Sequence, residues 1–355
     1  MRLQELLRGY KVDRANIQVV GNMTVVPLVN EQEFSSRIGE VDEVHLSRDP
    51  EYGVLEFKNE SGKVGIVMQG ATIISKQHAQ DRTVPRAQIL KGKSAGALGV
   101  FCVQSDQGGH FNPDGVRQER VEGEAPFRIL PPTLRTVAIM RSQQQHDSSS
   151  YSRMWDDIKA YSQFALGQAH RAHLHDIYDK LKKDLDEFVA QFEPVPNQLG
   201  AIVMINQEVV AVDIMPTHRS WSIMWRTFIR DSYGVEAMRS ASRGHALPWG
   251  QRMNPGNVNS LEDLGQEMDR MVVGLTDGIQ RSWAQVHDET VVSQTMNDVS
   301  GVKLLGLESD RYFGQCVLHD EHVVYMSLIP KDSDRKRVER FQRRSQTYSN
   351  EEFGF

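Results

Sequence analysis

The chain has 355 residues, of which 39% are hydrophobic and 25% are charged, and its formal net charge is −6 at pH 7. These proportions are ordinary for a folded protein and exclude a chain that is disordered throughout. The negative total excludes a basic surface overall, so nucleic acid would have to bind through a local cluster of Lys and Arg.

Residues 1–141 are predicted to form a β-rich unit. Short runs rich in β-branched residues, such as VVPLV at Val25–Val29 and GVFCV at Gly99–Val103, alternate with Gly, Asn, Asp and Pro. Their number and spacing indicate a sandwich or a barrel-like sheet, with LRTVAIM at Leu134–Met140 as its last strand. The polar segment SQQQHDSSS, residues 142–150, is predicted to be a linker or a mobile loop.

Residues 151–330 are predicted to form a second unit that contains both helices and strands. Apolar residues at spacings of three and four predict helices within Tyr151–Phe192, Trp221–Met238 and Leu261–Val286. LGAIVMIN and EVVAVDIM predict a β-hairpin, and three further runs predict final strands with a hairpin tip at Asp320-Glu321. The fold class is therefore α+β, with a β-rich N-terminal half followed by helices, a β-hairpin and a terminal group of strands.

Residues 331–355 are predicted to be a charged tail or a charged helix. The basic residues that make nucleic-acid binding an alternative function are Arg335, Lys336, Arg337, Arg340, Arg343 and Arg344. Asp332, Asp334 and Glu339 lie among them and favour a solvated helix with paired charges. The terminal EEFGF has the character of a short peptide that docks to a protein partner.

Two cysteines, Cys102 and Cys316, each lie within an apolar run, which indicates buried thiols and no disulfide framework. The N-terminal residues lack the apolar core of a signal peptide, and the sequence has no uninterrupted apolar run of about 18 residues. We therefore expect a cytoplasmic protein with no membrane partner.

Two polar clusters, each directly after an apolar run, form the candidate ligand site. The first contributes Lys76, Gln77, His78 and Arg82, and the second contributes Gln104, Asp106 and His110. Arg and Lys suit phosphate or carboxylate groups, and His transfers protons near neutral pH. Neither cluster pairs a nucleophile with a base, so no catalytic residue is assigned, and a solvated surface loop is the alternative.

Other motifs predict no cofactor and no metal. GKS at Gly92–Ser94 lacks the preceding glycine of a phosphate-binding loop, since Ala87 stands there. The segment HRAHLHD holds His170, His173 and His175, but on a helix only the first two share a face, which argues against one metal site. The helical spacing of Trp221, Trp225 and Phe228 predicts core packing.

Several segments together resemble the domain family that is named for its association with ADP-ribosylglycohydrolases and rhodanese-phosphatases. The matching segments are VVPLV at Val25–Val29, MQGATIISKQ at Met68–Gln77, GVFCVQ at Gly99–Gln104, SRMWDDI at Ser152–Ile158, and LGAIVMINQEVVAVDIM at Leu199–Met215. They occur in the order of the family pattern and span most of residues 17–240. The resemblance implies a link to the metabolism of NAD or ADP-ribose.

The chain departs from that pattern at its charged positions. Ala71 stands where the family has Glu, His78-Ala79 replace an Asn-Arg pair, and Gln104 replaces a second Glu. The Arg-Trp pair that should follow has no counterpart in SDQGG. If those groups carry activity in the family, the resemblance implies that this chain has lost or altered it.

The sequence predicts a non-catalytic protein that binds an anionic, nucleotide-like ligand or a protein partner through the two polar clusters. One alternative is an enzyme acting on an ADP-ribose-type linkage, with His78 or His110 as general acid or base. The other is nucleic-acid binding through the basic C-terminal stretch.

Overall fold

A computed structural model describes residues 1–31, 34, 36–51, 53–74, 81–104, 125–144, 154–167, 173–242, 280, 284, 286 and 288–331. Its helices are α1 Leu3–Leu6, α2 Pro132–Gln144, α3 Met154–Leu166, α4 Leu174–Lys180, α5 Lys182–Val189, α6 His218–Thr227 and α7 Val235–Ser242, with a π-helical segment at Phe228–Gly234 between the last two. Within these ranges, no helix is both long enough and apolar enough to cross a membrane.

The described residues also form eighteen strands. They are β1 Lys11–Val12, β2 Gln18–Val20, β3 Met23–Val29, β4 Val44–Glu51, β5 Val54–Asn59, β6 Gly65–Val67, β7 Ala71–Ile73, β8 Arg82–Thr83, β9 Gln88–Leu90, β10 Ala95–Gly99, β11 Phe101–Cys102, β12 Arg128–Ile129, β13 Gln198–Ile205, β14 Glu208–Ile214, β15 Val292–Val299, β16 Val302–Glu308, β17 Tyr312–His319 and β18 His322–Pro330. The α+β class predicted from the sequence is confirmed, with N-terminal strands, central helices and C-terminal strands.

A nine-stranded antiparallel sheet is the largest element. Its main order is β1-β3-β13-β14-β18-β17-β16-β15, and β2 also pairs with β3. Three of these strands come from residues 1–141 and six come from residues 151–330, so the two predicted units share one sheet.

Both faces of the central strand β13 are buried. Ala201, Val203 and Ile205 join one hydrophobic cluster, whereas Ile202 and Met204 join the cluster on the opposite face. Successive side chains of a strand point to opposite faces, which explains the almost continuous apolar sequence of β13.

Two-residue turns close the long hairpins, as their sequences predict. Asn206 and Gln207 join β13 to β14 with φ of 53° and 64°, and Asp320 and Glu321 join β17 to β18 with φ of 49° and 64°. Positive φ at both central residues matches the twist of the flanking strands. Both predicted hairpins are confirmed.

The other strands form three small sheets, with the orders β10-β5-β4, β11-β8-β7-β12 and β6-β9. The predicted helices within residues 151–192 are confirmed as α3, α4 and α5. The buried state of both free cysteines and of Trp221, Trp225 and Phe228 is also confirmed. Strand β15 is an addition, since no strand is predicted at its position.

The prediction of a strand at residues 134–140 is wrong, because these residues belong to helix α2. Proline at the first helical position has its φ preset for a helix, and Pro132 begins α2. Leu134 and Ala138, four residues apart, then share a buried face. The helix extends to Gln144, so residues 142–144 of the predicted linker are helical, and residues 145–150 lie outside the described ranges.

A fully buried ion pair joins α2 to the large sheet. Nη1 of Arg135 donates to both carboxylate oxygens of Asp213 on β14, at 2.9 and 3.0 Å, and to Ser327 Oγ on β18 at 3.0 Å. The Tyr233 hydroxyl donates to the same carboxylate at 2.5 Å. Burial opposes the charge of Arg135, but the attraction of Asp213 outweighs it and leaves the pKa of the guanidinium raised.

The π-helical segment supplies polar side chains to the interior. Ser232 donates to the backbone oxygen of Leu130 at 2.8 Å and accepts from Arg135 Nη2 at 3.3 Å. Tyr233 stacks on Phe228, with ring centroids 5.7 Å apart. The wider turn of a π-helix changes which side chains share a face, and such segments occur frequently at functional sites.

We predict that Arg135→Ala destabilises the protein by about 3–5 kcal/mol, because it leaves the Asp213 carboxylate buried without its cation. Urea unfolding measures this difference. The matched control is Arg219→Ala, which breaks an ion pair with Asp42 in which the Arg219 side chain is 55% exposed. That change is expected to cost under about 1 kcal/mol. Equal losses in the two variants would contradict the assigned role of Arg135.

Candidate functional site

The described ends of the two polar clusters meet at one end of the β8–β11 pair. These two short strands are antiparallel and align Arg82 with Cys102. The backbone N–H of Asp81 donates to Gln104 Oε1 at 3.0 Å, and the N–H of Val103 donates to the backbone oxygen of Asp81 at 2.8 Å. Residues 23 positions apart in the chain therefore lie side by side.

Threonine hydroxyls hold β8 in place on its other side. The Thr72 hydroxyl of β7 donates to Thr83 Oγ1 of β8 at 3.0 Å, and these two residues are paired in the register of the strands. Strands of two and three residues make few backbone bonds, so side-chain hydrogen bonds contribute much of their local order. The position of Asp81 follows from this pairing.

Helix α4 brings a histidine to the same place. His175 Nδ1 lies 2.7 Å from Asp81 Oδ2, and Asp81 is fully buried. On its other side, His175 Nε2 lies 3.3 Å from Asp176 Oδ1, a carboxylate whose side chain is 38% exposed. One ring nitrogen therefore faces the interior, and the other faces the solvent side.

The charge of His175 is stabilised by its neighbours. The hydrogen bond with Asp81 is the largest effect and raises the pKa of the imidazole; burial opposes it, and the charges of Asp81, Asp176 and Asp179 add to the increase. The ring of His173, just before α4, stacks on that of His175, with centroids 5.3 Å apart and planes 15° apart. The raised pKa means that His175 keeps its charge to a higher pH than an ordinary histidine does.

A second polar group lies one turn further along α4. The Tyr178 hydroxyl is buried and has no hydrogen-bond partner among the described residues. The Arg128 guanidinium lies over the Tyr178 ring, 5.0 Å from its centroid, and donates to Asp231 at 3.0 Å. Arg128 belongs to β12, so this contact ties the small sheet to both α4 and the π-helical segment.

We call Asp81, Arg82, Gln104 and His175 together the Asp81 site. Arg82 is only 4% exposed, and Gln104 is partly buried. Arg82 and Gln104 are the two predicted ligand-binding residues that the structure brings together. The other five, Lys76, Gln77, His78, Asp106 and His110, lie outside the described residues.

Asp81 lies within the first polar cluster, Lys76–Arg82, but the sequence does not predict it as a ligand-binding residue, and it does not connect His175 with this site. His175 stands in the segment HRAHLHD, whose pattern suggests a metal site or a solvated helix end, and Asp81 lies 94 residues earlier. No local pattern pairs residues at that separation. Among the residues that the structure describes, no group of three or more His, Cys, Asp or Glu is placed to hold a metal ion.

The predicted sites of the C-terminal region are not part of the described chain. Arg335, Lys336, Arg337, Arg340, Arg343 and Arg344, and the EEFGF terminus, all lie after residue 331, and His170 lies between described ranges. Nucleic-acid binding and partner docking through this region stay predictions.

The fold is α+β, and its polar site is built around one buried carboxylate. Residues 11–329 match the model of the ARPP-1 domain, described as the ARG and Rhodanese-Phosphatase-superfamily-associated Protein domain. The chain belongs to this family, which confirms the resemblance seen in its sequence. Comparisons with curated proteins and with solved structures return no match.

We predict that His175→Gln lowers stability more at acid pH than at alkaline pH. Because the folded-state pKa of His175 is raised, its contribution is fully present below the unfolded value of about 6.5 and is lost as pH rises through the folded value. A hydrogen bond between charged groups contributes about 1.5–3 kcal/mol, which sets the scale of the loss at low pH.

Urea unfolding at pH values from about 5.5 to 9 measures this dependence, on either side of the ordinary histidine pKa. The matched control is His322→Gln, at an exposed position in β18. A difference between wild type and His175→Gln that stays constant with pH would show that the ion pair with Asp81 does not form.

Proposed function

We propose that this chain binds a small anionic, nucleotide-like ligand at the Asp81 site. The observation that carries the proposal is the meeting of Arg82 and Gln104 with the Asp81–His175 pair at one end of two short strands. The strand pairing and the packing of α4 thereby bring residues from three separate parts of the chain to neighbouring positions.

The chemistry of these side chains favours phosphate. Arg presents a planar fork of N–H donors that matches phosphate oxygens, and an imidazolium adds a further charged donor. Arg82 is buried, and charge interactions at a buried position are less screened by water than those at an exposed position. Gln104 adds a side-chain amide, which can donate and accept hydrogen bonds with neutral groups of a ligand.

The adjoining sequence supports the same ligand class. The six residues before Asp81 include Lys76 and His78, and the residues after Gln104 include His110. In the sequence these residues lie within six positions of Asp81 or Gln104, and Lys76 carries a positive charge. The family description, which names an association with ARG and the rhodanese-phosphatase superfamily, makes ADP-ribose-like nucleotides the first ligands to test.

We predict that ADP-ribose, NAD or AMP binds the wild-type protein and that Arg82→Gln weakens this binding by about 10- to 100-fold. That range corresponds to the loss of one hydrogen bond to a charged group. Isothermal titration calorimetry measures the affinity, with inorganic phosphate as a further probe. Circular dichroism establishes that the variant is folded.

Arg219→Gln is the matched control, since Arg219 pairs with Asp42 at the surface and lies outside the Asp81 site. Its affinity should equal that of the wild type. If none of the four probes binds, the proposal is wrong. If a probe binds equally well to folded Arg82→Gln, the ligand does not use the Asp81 site.

A further inference from the structure

The two ring nitrogens of His175 have different surroundings. Nδ1 faces the carboxylate of Asp81, which is 0% exposed, whereas Nε2 faces Asp176, a partly exposed carboxylate at 3.3 Å. A hydrogen bond at one ring nitrogen determines which tautomer a histidine adopts. Asp81 therefore keeps a proton on Nδ1, and Nε2 is the nitrogen that exchanges protons on the solvent side.

Asp81 is held more firmly than an ordinary surface partner of a histidine. Its N–H donates to Gln104, its backbone oxygen accepts from Val103, and its side chain meets His175. The position of the carboxylate thus depends on two strands and not on one flexible side chain. Such fixed geometry is required of a group that orients a catalytic imidazole.

The solvent-side contact of His175 is weaker than the interior contact. The distance of 3.3 Å to Asp176 exceeds the usual range for a charge-assisted bond, whereas the 2.7 Å to Asp81 lies within it. A ligand atom can therefore replace Asp176 at Nε2 without loss of the bond to Asp81. The buried Tyr178 hydroxyl, which lacks a described partner, lies one helical turn away on the same face of α4.

We infer that His175 is a general acid for hydrolysis of a phosphoester or phosphoanhydride bond in the bound ligand, with Asp81 as its positioning residue. This inference rests on the proposed function, since it requires a phosphate-bearing ligand at the Asp81 site. His175 would touch the leaving oxygen, and Asp81 would act only through His175.

The reaction consumes one water molecule. The water oxygen forms a bond to phosphorus while the bond from phosphorus to the leaving oxygen breaks, and the electron pair of that bond stays on the leaving oxygen. His175 gives the Nε2 proton to this oxygen, and the proton released by water returns to the imidazole.

The effect of the leaving group on the loss in kcat distinguishes a general acid from a structural residue. We expect His175→Gln to lower kcat by about 100-fold or more for an adenosine monophosphate ester of phenol, whose leaving oxygen needs a proton. The ester of p-nitrophenol, which leaves readily as an anion, should lose far less. The affinity of the variant for both esters and for the product AMP, which is not hydrolysed further here, should fall by a smaller factor than kcat does.

The second readout is the pH profile. Groups that face His175 from the described elements are Asp81 before β8, Asp176 and Asp179 on α4, and the stacked ring of His173. Removing the Asp81 charge lowers the pKa of His175, so Asp81→Asn should move the alkaline limb of kcat to lower pH. The control His322→Gln should leave both the rate and the profile unchanged.

Mass spectrometry after reaction in heavy-oxygen water should find one labelled oxygen per hydrolysed bond.

The outcomes separate this inference from the proposed function. If AMP or the esters bind and wild-type protein does not hydrolyse them, the catalytic inference is wrong and the binding proposal stands. If His175→Gln loses the same factor with both leaving groups, His175 is not the acid. If nothing binds, both proposals are wrong.

Discussion

The ion pair between Arg135 and Asp213 is the interaction on which the arrangement of this protein depends. It is fully buried, and it joins α2, β14 and β18, while Tyr233 and Ser232 add the π-helical segment. A buried ion pair is costly to dehydrate and is tolerated only where further hydrogen bonds satisfy both partners. Here the bonds to Asp213 and to the two terminal nitrogens of Arg135 come from separate elements, so they fix the positions of these elements relative to one another, although Nε of Arg135 has no partner among the described residues.

The same arginine also contacts the turn that leads to the Asp81 site. Gly70 lies against the Arg135 side chain, and a Cβ placed at Gly70 would come within 2.8 Å of its methylene carbons. Gly70 also has a φ of +75°, a conformation that favours glycine. Its N–H donates to the backbone oxygen of Val84, directly after β8, and its backbone oxygen accepts from the N–H of Leu130, directly after β12, so the turn before β7 is fixed at the core. Since β7 holds β8, the position of Asp81 depends on this turn.

A second route links the core to α4. Asp231 of the π-helical segment binds Arg128 at 3.0 Å and Arg230 at 2.6 Å, and Arg128 covers the ring of Tyr178. Burial, together with the charge of Asp231, raises the pKa of the Tyr178 hydroxyl far above neutral. The tyrosine therefore stays protonated near neutral pH, and the contact of its ring with Arg128 anchors the helix that carries His175.

The sequence predicted the parts of the fold that depend on local pattern. The hairpin of β13 and β14, the aromatic core positions of α6 and the helices α3 to α5 follow from periodicity and turn residues. Helix α2 was missed because Val137 and Ile139 favour strands locally, whereas the tertiary demand for Arg135 at Asp213 favours the helix.

The candidate site was predictable only in part, for a physical reason. Arg82 and Gln104 follow apolar runs, and polar residues at strand ends are visible in sequence. The pairing of Asp81 with His175 depends on how α4 packs on the β8–β11 pair, which no local spacing encodes. A histidine in a segment rich in His suggests metal binding, and its carboxylate partner becomes apparent only when the chain is folded.

The two buried aspartates Asp213 and Asp81 differ in how strongly the charge of their partners depends on pH. Asp213 binds a guanidinium and a tyrosine hydroxyl, both with pKa values raised above their usual range, so neither partner changes its charge near neutral pH. Asp81 binds an imidazole, the one side chain whose ordinary pKa lies near neutral. A protein that needed only a firm tie between α4 and the small sheet would gain more from an arginine at position 175, because arginine keeps its charge at every physiological pH. Histidine at that position instead makes the strength of the contact depend on pH.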